Sequence, residues 1–172
     1  MRYFPKNIFD KDDEEDDYIH KKYSGHLHAM KEKPIFNTDS TEMTIFRILD
    51  LKSFSIPVMV KVTVEKNGNT LRAIIPSEPM TVREKEINKT LSDKEIQEIE
   101  RYVERMDFWS LKTITDDHRI PVVDEHRAIF EVYDKSNKYH VIDRLSPGYK
   151  EDTKVFSELI TYLLNLADAN LH

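Results

Sequence analysis

Four valines at every second position constrain this chain more than any other feature. Val58, Val60, Val62 and Val64 alternate with Met59, Lys61, Thr63 and Glu65. A strand sends successive side chains to opposite faces, so a period of two marks a strand with one buried face. After Lys66-Asn67-Gly68-Asn69 the alternation resumes with Leu71, Ala73 and Ile75. Asn-Gly between alternating segments is a strong hairpin signal, because a type I′ turn needs φ > 0 at both central residues. A two-residue turn at Asn67-Gly68 predicts the pairs Val64 with Leu71, Val62 with Ala73 and Val60 with Ile75, all apolar.

The flanking segments extend this pattern. Residues 45–51 read as an Ile- and Leu-rich strand, and residues 82–90 as a mostly polar edge strand. Ser92-Asp93-Lys94-Glu95 is a capping box, followed by Ile96, Ile99, Val103 and Met106 at helical spacing. A helix is therefore predicted over 93–107, closed by Phe108 and Trp109 as core anchors. Residues 127–133 and 138–145 form a second hairpin around a four-residue loop, Asp134-Lys135-Ser136-Asn137. That loop length puts Phe130, Val132, Tyr139 and Val141 on one face and Glu131, His140 and Arg144 on the other. A last helix spans 151–167, with a wide apolar arc. The predicted fold class is α+β: an antiparallel sheet of about five to six strands with two amphipathic helices packed on one face. The face bearing Glu131, His140 and Arg144 is then left open.

Composition narrows the function. The 172 residues are one domain's worth and bury roughly 68–70% of the unfolded surface, enough for a core. No cysteine is present, which removes disulfides, thiolate zinc sites and cysteine nucleophiles. Three glycines argue against Gly-rich nucleotide loops. No apolar run reaches the roughly 18 residues of a membrane span, and residues 1–17 carry no signal peptide, so a cytoplasmic location is expected. Seven acidic residues against three basic ones give residues 1–17 most of the net charge of −6. The rest is close to neutral, without the footprint of a nucleic-acid binder. Residues 1–17 are expected as an acidic flexible tail, and 18–172 as a single α+β domain. Residues 18–43 show no sustained period.

From residue 44 to 166 the chain carries Phe46-Arg47, Phe108-Trp109, Asp124, Glu131, and Tyr139-His140 with Arg144 and Pro147. In these it resembles a widespread family of uncharacterised bacterial proteins with a Phe-Trp, Asp-Gly-Ala, Glu and Tyr-His-x-x-x-Arg-x-x-Pro pattern. Where the family has Asp-Gly-Ala, this chain has Asp124-Glu125-His126. The resemblance covers roughly two-thirds of the chain and implies the fold without naming an activity.

Glu131, His140 and Arg144, with Asp124 nearby, form the candidate binding cluster. In the predicted register Glu131 lies opposite His140, where a carboxylate would orient the ring and raise its pKa. A structural cross-strand ion pair is the competing reading. His26 and His28, with His20 upstream, lack further ligands at fixed spacing and read as surface histidines. Asp116-Asp117-His118-Arg119 and Asp124-Glu125-His126-Arg127 read as solvated loop. No metal, cofactor or catalytic residue is assigned. The leading expectation is a binding protein, an immunity or inhibitor protein that neutralises a toxin or effector by protein contact. Asp12, Asp13, Glu14, Glu15, Asp16 and Asp17 would face a basic partner surface. The alternative is a small enzyme or ligand-binding domain using the Glu-His-Arg cluster.

Overall fold

A computed structural model describes residues 2–6, 8–9, 14–52, 57–76, 84–115 and 126–168. In chain order the elements are α1 (Glu14–Ala29), β1 (Thr44–Leu51), β2 (Val58–Glu65), β3 (Gly68–Pro76), β4 (Glu84–Leu91), α2 (Asp93–Arg105), β5 (Arg127–Tyr133), β6 (Tyr139–Leu145) and α3 (Lys154–Leu166). Among the described residues, six strands form one antiparallel sheet in the order β4-β3-β2-β1-β5-β6. The fold is α+β, as the alternation predicts.

The valine alternation builds the main core. Val60 and Val62 of β2 join Phe46, Ile48, Leu71, Ala73, Phe130 and Ile142 on one face, together with Ile96, Ile99 and Val103 of α2 and Phe156, Leu159 and Leu163 of α3. The α2 start is the expected capping box. Ser92 Oγ accepts from the Glu95 amide at 3.2 Å, and the Glu95 carboxylate accepts from the Ser92 amide at 2.7 Å. Phe108 is fully buried, but Trp109 is 41% exposed, so only the first of this pair anchors the core.

Both hairpin registers differ from the expected ones. In the first, Glu65 pairs with Gly68 and Val62 with Leu71. The turn sits on Lys66-Asn67, and the positive φ falls at Gly68, +144°. The slip is two residues, an even number, so every side chain keeps its face. In the second hairpin the slip is one residue. Asp134 N–H donates to the Lys138 carbonyl at 2.9 Å, and Asn137 takes φ +63°. This is a turn followed by a left-handed residue, the bulged hairpin loop, and it adds one residue to the connection. Tyr133 therefore pairs with Tyr139, Val132 with His140 and Glu131 with Val141. An odd slip turns all of β6 over. Val141 and Tyr139 leave the face of Phe130, and His140 and Arg144 leave the face of Glu131.

The second face is not open. Tyr3, Phe4, Phe9, and Tyr23, Leu27 and Met30 of α1 and its end form a second core with Leu49, Met59, Ile74, Ile129 and Val141. The stretch expected as a flexible tail thus contributes three buried aromatic residues. The sheet edges differ in their protection. On β4 the side chains of Glu84, Lys85, Glu86, Asn88 and Thr90 are exposed, and charge on an edge discourages pairing with another chain. At β6 the segment after α2 runs alongside, and Asp143 N–H donates to the Thr113 carbonyl at 2.7 Å.

Candidate functional site

The expected Glu-His-Arg cluster is divided between the two faces. On the α2/α3 face, His140 belongs to an aromatic stack. Its ring centroid is 5.0 Å from Phe108 and 6.4 Å from Trp109, the latter at an interplanar angle of 28°. Phe108 and Trp109 meet edge to face at 5.4 Å, and Phe108 does the same with Phe130 at 5.2 Å. His140 Nε2 lies 2.7 Å from the Leu111 carbonyl. A carbonyl only accepts, so Nε2 carries the proton. Burial pushes the imidazole pKa below its ordinary value, the Leu111 carbonyl opposes this, and the Arg144 charge adds to it. Arg144 donates to the carbonyls of Lys112 at 2.8 Å and Thr113 at 3.0 Å. His140 and Arg144 therefore act on one object, the segment from Leu111 to Thr113, and hold it and the adjoining Trp109 against β6. This is a clamp rather than an acid–base pair.

Glu131 sits on the α1 face, 1% exposed, within a row of ionic groups. The sheet register places Glu131, Arg47, Lys61, Arg72 and Asn88 side by side across β5, β1, β2, β3 and β4. Arg47 Nε donates to Glu131 at 2.7 Å, and Tyr139 Oη donates to the same carboxylate at 2.8 Å. Arg72 Nε donates to Glu86 at 2.9 Å. From above the sheet, the Glu32 carboxylate accepts from Arg47 Nη1 at 3.2 Å, from Lys61 Nζ at 3.0 Å, and from Arg72 Nη1. Glu32 owes its place to the end of α1. Lys31 turns left-handed at φ +59°, with amide bonds from Lys31 to the His28 carbonyl and from Glu32 to the Leu27 carbonyl. That pair of bonds is the Schellman motif that ends many helices.

Charge and burial shape the pKa values here. Burial would lower the Arg47 pKa, but the charge and hydrogen bond of Glu131, with Glu32 beside it, raise it above its ordinary value. Burial and the Glu131 charge push the Tyr139 phenol well above its ordinary value. A second buried acid, Asp143, accepts from Tyr23 Oη at 2.6 Å and lies 3.3 Å from Arg127. Burial raises its carboxyl, with Tyr23 and Arg127 opposing. A third, Asp50, lies 2.5 Å from His126 Nε2.

The remaining sequence candidates are placed as follows. Asp124, Asp12 and Asp13 lie outside the described residues, while Glu14, Glu15, Asp16 and Asp17 form the first turn of α1. His20, His26 and His28 are on α1. Among the described residues no group of three His, Asp or Glu side chains is arranged to hold a metal ion. No helix among them is long and apolar enough to cross a membrane. A shallow groove of about 290 Å³ runs between α2 and α3, lined by Tyr102, Ser157, Glu158, Thr161, Tyr162 and Asn165. Sequence reasoning missed Glu32, Arg47, Lys61 and Arg72. The available signal was Arg47 inside Ile45-Phe46-Arg47-Ile48-Leu49, a charge within an apolar strand that must be paired to be buried. No protein-family model matches the chain, and a search among curated proteins finds no match.

Proposed function

We propose that this chain is a binding protein that acts by protein–protein contact, as an immunity or inhibitor protein neutralises a toxin or effector. Trp109 carries the reading. It is a large aromatic side chain, 41% exposed, held by Phe108 beneath and His140 alongside. Tryptophan is enriched among the few residues that dominate binding energy, and a pre-positioned ring loses little entropy on docking. Trp109 and the residues that hold its ring in place, Phe108, His140 and Arg144, are also among the residues that carry the resemblance to the bacterial family. The acidic run ending at Asp17 would speed encounter with a basic partner more than it would tighten the complex. The proposed place of action is the cytoplasm.

The enzyme reading requires Glu131 beside His140, and the two residues occupy opposite faces of the sheet. The test is affinity capture from the cells that make the protein, with wild type and Trp109→Ala compared. The expected result is a stoichiometric protein partner with wild type and its loss with Trp109→Ala, at unchanged circular dichroism. Equal recovery by both proteins, or no stoichiometric partner with wild type, overturns the proposal.

A further inference from the structure

Arg47, Lys61 and Arg72 are direct cross-strand neighbours, Arg47 with Lys61 and Lys61 with Arg72. Residues directly opposite on one face have Cβ atoms roughly 4.5–5.5 Å apart, and like charges there repel. Two of the three cations have an acid in or beside the sheet, Arg47 with Glu131 and Arg72 with Glu86. The middle of the row has none of its own among the described residues. Its anion comes from Glu32, in the connection after α1, whose carboxylate is 1% exposed and takes all three cations.

The rest of that connection is held by the same groups. Arg72 Nη2 donates to the Met30 carbonyl at 3.0 Å, and Arg47 Nη1 donates to the Lys33 carbonyl at 2.7 Å. Tyr3 Oη donates to the Glu32 carbonyl at 2.9 Å. Arg47 Nη2 is buried without a hydrogen-bond partner among the described residues. The sheet thus presents converging donors, and residues 30–33 lie across them with the single Glu32 carboxylate at the point of convergence.

We infer that the Arg47–Lys61–Arg72 row is a carboxylate-binding site, and that Glu32 is its built-in occupant. An external carboxylate competes with Glu32 for the same donors, and residues 30–33 loosen when it wins. The preference for a carboxylate over other anions follows from the occupant, whose two oxygens are divided among three cations. Charge-assisted bonds of this kind are the strong ones, and their strength grows where water is excluded.

The probe is sodium acetate, compared with sodium chloride and sodium phosphate at equal ionic strength. Thermal melting is followed for the full-length wild type, Glu32→Ala and the double variant Glu32→Ala/Lys61→Met. A ligand that binds only the folded state raises its melting temperature. Acetate should stabilise Glu32→Ala selectively, with an apparent affinity at least about tenfold above that for wild type. The double variant should lose that response. Should Glu32→Ala be unfolded in chloride, acetate should restore its folded circular dichroism. In wild type, acetate should speed amide hydrogen exchange at residues 30–33. A Glu32→Ala protein that does not distinguish acetate from chloride, folded or not, overturns the inference. So does a response that survives Lys61→Met, a preference for phosphate, or exchange at residues 30–33 that ignores acetate.

Discussion

His140 and Glu131 differ by one step of the pleat, and their chemistry follows from that step. Beside Glu131, the His140 imidazole would be held charged; on the opposite face it is half-buried, and burial with the Arg144 charge favours the neutral ring. The pH dependence therefore has a definite sign. The unfolded ring titrates near 6.5 and the folded one lower. Between the two values the unfolded chain binds more protons, so stability rises with pH there. The His140 contribution is complete above 6.5 and is lost as pH falls through the folded value. His26, lowered by burial and by Lys22, works in the same direction. Asp143, raised by burial, works in the opposite one: its contribution is complete below 3.8 and is lost as pH rises through the folded value. Both remain in His140→Gln, so the comparison with wild type isolates His140. Urea unfolding at pH values on either side of 6.5 should show wild type losing stability on acidification more steeply than His140→Gln. Parallel losses would mean that the ring is not held neutral by the fold.

At the scale of elements, legibility tracked how local the deciding physics is. The β2 alternation, the Ser92–Glu95 box and the Leu159–Ile160–Leu163–Leu164 stripe of α3 are set by nearby residues, and each element formed where its pattern predicts. The hairpin registers depend on one φ angle. Gly68 carries a positive value, as an Asn-Gly turn requires, but Asn67 does not, and the turn falls one residue earlier; the positive value at Asn137 does not follow from loop length alone. Helix α1 was hidden for a different reason. Among the described side chains, Tyr23 and Leu27 are buried and four apart, and Met30 just beyond the helix continues this short stripe. Gly25 interrupts the stretch, at a cost of about 1 kcal/mol relative to alanine. The acidic run before it suits the first turn of a helix as well as it suits a solvated tail. The capping box offers the direct test of an element. Ser92→Ala removes the acceptor for the Glu95 amide and should cost about 0.5–2 kcal/mol in denaturant unfolding, with an unchanged m-value. A loss below that range would place the helix start under tertiary control.

For the whole molecule, the decisive finding is that the sheet is covered twice. A chain with one helical layer leaves a face for a ligand; this chain covers it with α1, residues 30–33 and the aromatic residues of its N-terminal segment. The candidate site was legible only as a set of residues. Glu131, His140 and Arg144 are each fully engaged, but with partners remote in sequence: Arg47, Leu111 and Lys112. No periodicity could pair them, because each contact depends on the register and on where α1 docks. The same dependence predicts that the N-terminal segment unfolds together with the rest as one cooperative unit. Phe4 is fully buried, packing edge to face on Phe9 at 5.2 Å and on Tyr23 at 6.3 Å. Truncating a buried phenylalanine costs about 3–5 kcal/mol. Phe4→Ala should therefore lower global stability by about that amount. The loss should be the same by far-UV circular dichroism and by Trp109 fluorescence, since coincident probes mark a two-state transition. Trp109 lies on the α2/α3 side of the sheet, away from Phe4, so it reports the mutation only if the two cores unfold together. A change confined to the circular dichroism signal would show the N-terminal layer to be a separable cover. An unchanged midpoint by both probes would return residues 1–9 to the role of a tail.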